Sequence, residues 1–469
     1  MHSRYRRGLS SGSETVHTGR VTRRTLLVAT AALLAGAESA QAKRLTPKQA
    51  RALRAATRGR VLTPGDRGYD AARVVFNRRF DGVKPPAVLV AKDSDDVRAV
   101  VRWADRYGIG LVSRSGGHGY NGDSTSNSAV VVDLRNLDRI AYGDGKATIG
   151  PGARLGDVYA RLAAKGVTIP AGSCPTVAVG GLVLGGGMGL AGRAFGLTLD
   201  RVTSFDVVTA DGVRRRVEHD DDLFWALRGG GGSFGIVTAI RFRTRRVSTA
   251  SFFRVTYPRG ARDEALHDWE AFAPTAPSAL TAILTLDANG ASAFGQYLGS
   301  PQALAKLIAP LQGAPTVGSA DYLTVQRRWA GAKPQRSSFA ASSLYVTKRL
   351  STRGRTAFLA AADTGATLIL DAYGGAVNRP HRTDTAFPHR DARFSAQVLS
   401  YAAIPLAKSR VKRARAAIAP YGSGAYANYA DPDLGNALRA YYGANLPRLR
   451  RVKEEVDPAN RFRPAQGIR

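Results

Sequence analysis

Along most of this chain the hydrophobic positions follow one of two periods, and the switches between them mark the elements. Ala87-Val88-Leu89-Val90 is a short apolar run without a polar break, which predicts a buried strand. Ser94-Asp95-Asp96 then offers a helix cap. Val97, Val100, Val101 and Ala104 recur at helical spacing as far as Tyr107, and Gly108 supplies a stop. The same reading predicts strands at 110–113, 130–134, 203–209 and 235–242 and a helix at 155–165. Residues 43–60, basic and Ala-rich, predict a frayed helix or linker. From about residue 248 the texture changes. Strand-like segments at 252–257, 280–286, 367–371 and 394–401 alternate with Ala-rich helical stretches at 301–311 and 351–362. The pattern predicts an α+β protein with a second lobe made of a sheet backed by helices.

The N-terminal segment reads differently. Arg23-Arg24 precedes an apolar run from Leu26 to Ala37, and Ala40-Gln41-Ala42 places small residues at a cleavage site. Residues 1–42 are therefore expected to be a twin-arginine export signal, with 43–69 a basic segment after it. Twelve apolar residues are too few to span a bilayer, so no stable membrane anchor is expected. The formal net charge is +32, yet no basic tract is interleaved with aromatics and no finger spacing occurs, so nucleic-acid binding is not expected. One cysteine excludes an intramolecular disulfide, and seven scattered histidines give no metal motif. Monomer and homodimer stay equally open.

Glycine carries the chemistry. It is 51 of 469 residues and clusters at 116–119, 180–189 and 229–235. Runs without side chains let backbone amides approach a phosphate. Two runs contain a G-x-G-x-x-G pattern, at Gly187, Gly189, Gly192 and at Gly230, Gly232, Gly235. A nicotinamide-binding fingerprint needs a strand before it and a helix after it. The first run is too glycine-rich to follow as a strand and the second leads into one, so that reading is disfavoured.

Several spaced segments together resemble a known family. They are Arg114-Ser115-Gly116-Gly117-His118; Gly172-Ser173-Cys174-Pro175-Thr176-Val177 continuing to Gly180-Gly181; and Asp222-Leu223-Phe224-Trp225 with the glycine run behind it. Tyr426-Ala427-Asn428-Tyr429, Val452-Lys453 and Asp457-Pro458 complete the set. In this order they resemble the berberine bridge enzyme-like FAD-linked oxidases of the vanillyl-alcohol oxidase superfamily. The resemblance implies a two-lobed α+β fold: an FAD lobe from residues 70–247, a substrate lobe of antiparallel sheet at 248–425, and a return to the FAD lobe at 426–469. It also implies FAD attached to both His118 and Cys174, within a site formed by Arg114, Ser115, Gly116, Gly117, Gly119, Val177, Gly180, Gly181, Gly235, Ile236, Val237 and Asn428. A valine at position 177 is implied to leave room for dioxygen.

The catalytic expectation follows from the same likeness. Tyr429 is implied as the base that takes the substrate hydroxyl proton. Its pKa, ordinarily near ~10, would need lowering by a nearby positive charge or by the flavin. Asp371 is expected to support it. Gln397 falls where berberine bridge enzyme itself carries a glutamate base. An amide takes no proton at neutral pH, so Gln397 is expected to orient a substrate hydroxyl. Trp269 and Trp329 are candidates to stack a sugar ring, with core packing as the plainer alternative. The expected activity is oxidation of a hydroxyl on a sugar or secondary metabolite with dioxygen as acceptor. The competing reading is an exported protein that keeps flavin for structure or binds a polyanion and turns nothing over.

Overall fold

The computed structural model describes residues 44–330 and 335–469. The export signal expected at residues 1–42 lies outside the described residues. The 43–60 segment proves better ordered than a frayed linker. Helix Pro47–Ala56 is closed by a capping box between Thr46 and Gln49, and its Leu53 is fully buried among Val97, Val100 and Val101. Apolar packing, invisible in an Ala- and Arg-rich stretch, holds it down.

The first layer is a four-stranded sheet of β1 (Arg60–Leu62), β2 (Val88–Val90), β3 (Gly110–Arg114) and β4 (Ala129–Asp133), in the order β1-β2-β4-β3. Helix Ser94–Tyr107 packs on it. Its N-cap is Asp93 rather than Ser94, because the Asp93 carboxylate accepts the Asp95 and Asp96 amides. Gly108 ends it in the left-handed region at φ 67°. Next come β5 (Ile140–Gly143), β6 (Lys146–Ile149), β7 (Val167–Thr168), β8 (Val202–Val208), β9 (Arg214–Val217), β10 (Ile236–Arg243) and β11 (Arg245–Arg246). Five of them form a sheet in the order β5-β6-β10-β8-β9, and β7 pairs with β11.

The remaining strands, β12 (Thr249–Pro258), β13 (Leu280–Leu286), β14 (Gly290–Tyr297), β15 (Thr316–Asp321), β16 (Ala340–Val346), β17 (Thr367–Ala372) and β18 (Phe394–Ser400), make one seven-stranded sheet. Every pairing in it is antiparallel. Helices Arg262–Phe272, Thr352–Asp363 and Ile404–Ile418 share a core with one face of this sheet. The other face is left to line a cavity.

One contact ties the seven-stranded sheet's lobe to the N-terminal strands, and two more fix the chain end to those strands. Arg193, buried beside the second glycine run, is held by the carbonyl oxygens of Ala273, Pro274, Ala276 and Leu280. The C-terminal segment runs beside β3, with the Leu111 amide donating to Arg461 O at 2.7 Å and the Arg463 amide to Leu111 O at 2.9 Å. Lys453, buried against Asp457, donates to Ser233 O at 2.8 Å and to Phe462 O at 3.1 Å. The Lys453 and Asp457 motifs thus pin the chain end to the third glycine run.

Candidate active site

A cavity of about 590 Å³ lies between the glycine-rich segments and the open face of the seven-stranded sheet. One wall is backbone. Gly116, Gly117, Gly119, Gly181, Gly185 and Gly230 to Gly232 all line it. At Gly185 the protein itself demands glycine, since a Cβ would fall 2.1 Å from Asn428 Oδ1. At Gly181 it does not: a Cβ there would meet no protein atom within 4 Å. Such a surface fits a flat cofactor laid against the main chain. Helix Val179–Gly185 carries Gly181, so no strand precedes the G-x-G-x-x-G at 187–192, and the third run leads into β10.

His118 and Cys174 line the same cavity. A single hydroxyl sits between them: Thr176 Oγ1 lies 3.1 Å from His118 Nε2 and 3.6 Å from Cys174 Sγ. The His118 ring stacks on Phe76 with centroids 4.0 Å apart. Burial, reinforced by the charge of Arg154, lowers its pKa to about 4. The imidazole is therefore neutral near pH 7, with its lone pair available for bonding. Val177 flanks Cys174 on the cavity wall, with its amide on Cys174 O at 3.3 Å.

At the sheet end the polar groups converge. The Tyr429 hydroxyl donates to Asp371 Oδ2 at 3.2 Å, and Ser395 Oγ donates to the same oxygen at 3.3 Å. Tyr120 stacks beside Tyr429 with centroids 5.9 Å apart, and its hydroxyl accepts the Gln397 amide at 3.0 Å. Asn428 donates to Leu182 O at 2.9 Å and to Tyr426 Oη at 3.1 Å. Tyr426 Oη in turn accepts the amides of Gly187 and Met188, so the Tyr-x-Asn-Tyr segment grips the second glycine run.

Of the two sources expected to lower the Tyr429 pKa, a nearby positive charge or the flavin, the described residues supply no cation among the charges that act on it. Burial, then the charge of Asp371, push it well above the ordinary tyrosine value. Burial likewise raises Asp371 to about 6, although its hydrogen bonds from Tyr429 and Ser395 pull the other way. The group able to hold a proton near neutral pH is thus Asp371, which lines the cavity beside Tyr429 and is hydrogen-bonded to it.

Other sequence assignments also shift. Arg114, expected at the cofactor, does not line the cavity. Its guanidinium is buried on Asp133 at 2.7 Å and on the carbonyls of Ala72 and Arg73, where the fold uses it to brace β3 against β4. Gly180, Gly235, Ile236 and Val237 stand behind the cavity wall instead of lining it. A Cβ on Gly180 would strike Ser115 Oγ, one on Gly235 would strike Val207, and Ile236 and Val237 are core residues of β10. Trp269 is wholly buried against Phe394, whereas Trp329 does line the cavity. Tyr120, Phe76 and Asp123 line it without having been singled out from sequence, and neither was Thr176, which contacts both His118 and Cys174. Thr176 was the most findable, lying inside the cysteine motif.

Comparison with known proteins agrees with this geometry. Residues 85–218 match the model for an FAD binding domain, and residues 425–469 match the model described as berberine and berberine like. The chain is 33% identical to the FAD-linked oxidoreductase YgaK of Bacillus subtilis (strain 168), over 87% of this chain and 96% of that one. It is 29% identical to the chitooligosaccharide oxidase of Gibberella zeae, over 86% and 91%. The solved structure of wild-type Physcomitrella patens BBE-like 1 superposes with a TM-score of 0.85 at 29% identity, covering 90% of this chain and 99% of that one. The chain belongs to the berberine bridge enzyme-like family, with the two-lobed α+β fold of the vanillyl-alcohol oxidase type. It is an FAD-linked oxidoreductase.

Proposed function

We propose that this enzyme oxidises a hydroxyl group of a small molecule to a carbonyl, with FAD attached covalently through His118 and Cys174 and dioxygen as the final acceptor. The observation that carries the reading is the Tyr429–Asp371 hydrogen bond at the sheet end of the cavity that also holds His118 and Cys174. Bound FAD supplies a two-electron acceptor for the substrate's C–H hydride and hands those electrons on to dioxygen. The chain's own part is the proton and the alignment. The substrate hydroxyl gives its proton to Tyr429 Oη as the Tyr429 proton passes to Asp371. Neither a free phenolate nor a nearby cation is then needed. Gln397 donates to Tyr120, and its carbonyl end is left to hold the substrate. The test is anaerobic bleaching of the flavin by alcohols, followed by recovery of colour and formation of hydrogen peroxide in air.

The pH dependence follows in sign. Asp371 accepts a proton only when ionised, and its carboxyl is raised to about 6. Bleaching rates should therefore fall as pH drops through about 6 and level off above it. Asp371→Asn should slow the reaction and flatten that limb. An unchanged limb in the variant removes Asp371 from the relay.

Val177 carries the oxidase part of the reading. It lies on the cavity wall three residues after Cys174, and its short side chain supports access for dioxygen beside it. Val177→Leu adds one methylene. It is expected to slow reoxidation by dioxygen, measured by rapid mixing of reduced enzyme with aerated buffer, while reduction by substrate changes little. Equal reoxidation rates would reject the assignment.

We further propose export through the twin-arginine route, supported by Arg23-Arg24 before a modest apolar run and by the need to load a bulky cofactor before export. Replacing both arginines with lysine is expected to retain flavin-bearing protein inside the cell. Continued export of that variant would refute the route. Among the described residues no helix is long and apolar enough to cross a membrane.

A further inference from the structure

The open face of the seven-stranded sheet shows what the substrate looks like beyond its hydroxyl. In a strand, alternate residues share a face. Thr281 and Ile283 of β13, Phe294 of β14, Ile369 and Asp371 of β17, and Gln397 and Leu399 of β18 all line the cavity. The register sets their order across the sheet. Phe294 pairs with Ile283, and Ile283 pairs with Asp371. Ile369 pairs with Gln397 in the next row. Asp371 and Gln397 therefore each have an aliphatic side chain as the neighbour on one side, a strand spacing of about 4.8 Å away, with Ser395 and Ser343 on the other. Phe294 continues the apolar row, with the Trp329 ring 5.5 Å from it and tilted by 31°.

Two absences of polarity matter. Of the residues of this sheet that line the cavity, Asp371, Gln397 and Thr281 are polar, and Ile283, Phe294, Ile369 and Leu399 are hydrocarbon or aromatic. In addition, no Lys or Arg lines the cavity among the described residues, although the whole chain carries a formal net charge of +32. An anionic substrate would find no countercharge there and would face Asp371. Against this wall a sugar would find partners for the reacting hydroxyl and a neighbour, but every further hydroxyl turned toward it would lie against Ile283, Ile369, Leu399 and Phe294. Each buried hydroxyl left without a partner weakens binding by about tenfold or more.

Resting on the proposed function above, we infer that the substrate is an uncharged alcohol with an apolar or aromatic body and a single hydroxyl beside the reactive end, and that Ile283, Phe294, Trp329, Ile369 and Leu399 are the residues that select it. The apolar wall acts through area removed from water, so affinity grows with the hydrocarbon attached to the hydroxyl-bearing carbon.

The test is anaerobic reduction of the purified flavoprotein by a graded panel: straight-chain primary alcohols, benzyl and cinnamyl alcohols, glucose, a chitooligosaccharide and lactate. Within the straight-chain series kcat/KM is expected to rise about fourfold per added methylene until the wall is filled. Glucose, the oligosaccharide and lactate are expected to be at least a hundredfold poorer than the aryl alcohols. Ile369→Asn and Leu399→Gln should flatten the chain-length slope through KM, while kcat for a short alcohol changes less. Reduction by glucose or the oligosaccharide as fast as by the aryl alcohols overturns the inference and leaves the proposed function standing. A flat chain-length series in the native enzyme overturns it too. If no alcohol or sugar of either class bleaches a flavin that dithionite does reduce, the proposed function falls, and this inference with it.

Discussion

Tyr429→Phe is expected to slow anaerobic bleaching of the flavin by roughly 10²–10⁴-fold, the usual worth of a positioned general base. The substitution keeps the ring, so its edge contact with Tyr426, centroids 4.9 Å apart, and its stack on Tyr120 remain. Only the hydroxyl that donates to Asp371 Oδ2 is lost. Asp371 keeps Ser395 as a donor, so the carboxyl is not stranded. Without the hydroxyl, the substrate proton has no neighbour to accept it and no route to the group whose pKa lies near pH 6. Stopped-flow absorbance in the flavin band, at saturating substrate and several pH values, measures the effect. A variant that bleaches at the native rate would show that Tyr429 only packs.

The second large effect concerns the cofactor bonds. In the native protein all yellow colour is expected to precipitate with the polypeptide in acid, and digestion is expected to yield flavin on peptides carrying both His118 and Cys174. His118→Ala or Cys174→Ala should each keep the colour bound through the remaining link. The double variant should release it completely. The geometry supports this because both side chains face one cavity, His118 is neutral, and Thr176 Oγ1 reaches both. Flavin released in full from the native protein would exclude covalent attachment altogether. Flavin found on only one of the two residues would reduce the proposal to a single bond.

How far the sequence reached depends on what each feature rests on. Elements set by local periodicity were legible: the helix ending at Gly108, the strand Leu280–Leu286 and the entry into β10 fall where apolar spacing and glycine place them. Elements held by tertiary packing were not. Residues 43–60 read as a frayed helix or a linker, and only the packing of Leu53 shows the firm helix Pro47–Ala56. The strands Gly290–Tyr297 and Ala340–Val346 are rich in Ala, Ser and Gly, and their place in the sheet is fixed by neighbours rather than by propensity. The site divides in the same way. His118, Cys174, Tyr429, Asp371 and Gln397 converge on one cavity. The likeness of spaced motifs had pointed to all five. Arg114 misled because a motif marks a residue's importance without saying whether it serves ligand or fold; here a buried carboxylate, Asp133, claims it. Tyr120 was missed because its partner Gln397 lies 277 residues away. That the near charge of Tyr429 is an anion was not legible, because a pKa belongs to an environment that no spacing in the chain shows.

The most direct test of the account is a single cycle of the purified protein: mix it with an excess of a reactive alcohol without oxygen, then admit air. The account predicts complete loss of the oxidised flavin colour, its return on aeration, and one hydrogen peroxide formed for each carbonyl product. A flavin that stays yellow with every alcohol and sugar offered, or that bleaches but returns without hydrogen peroxide, would contradict it.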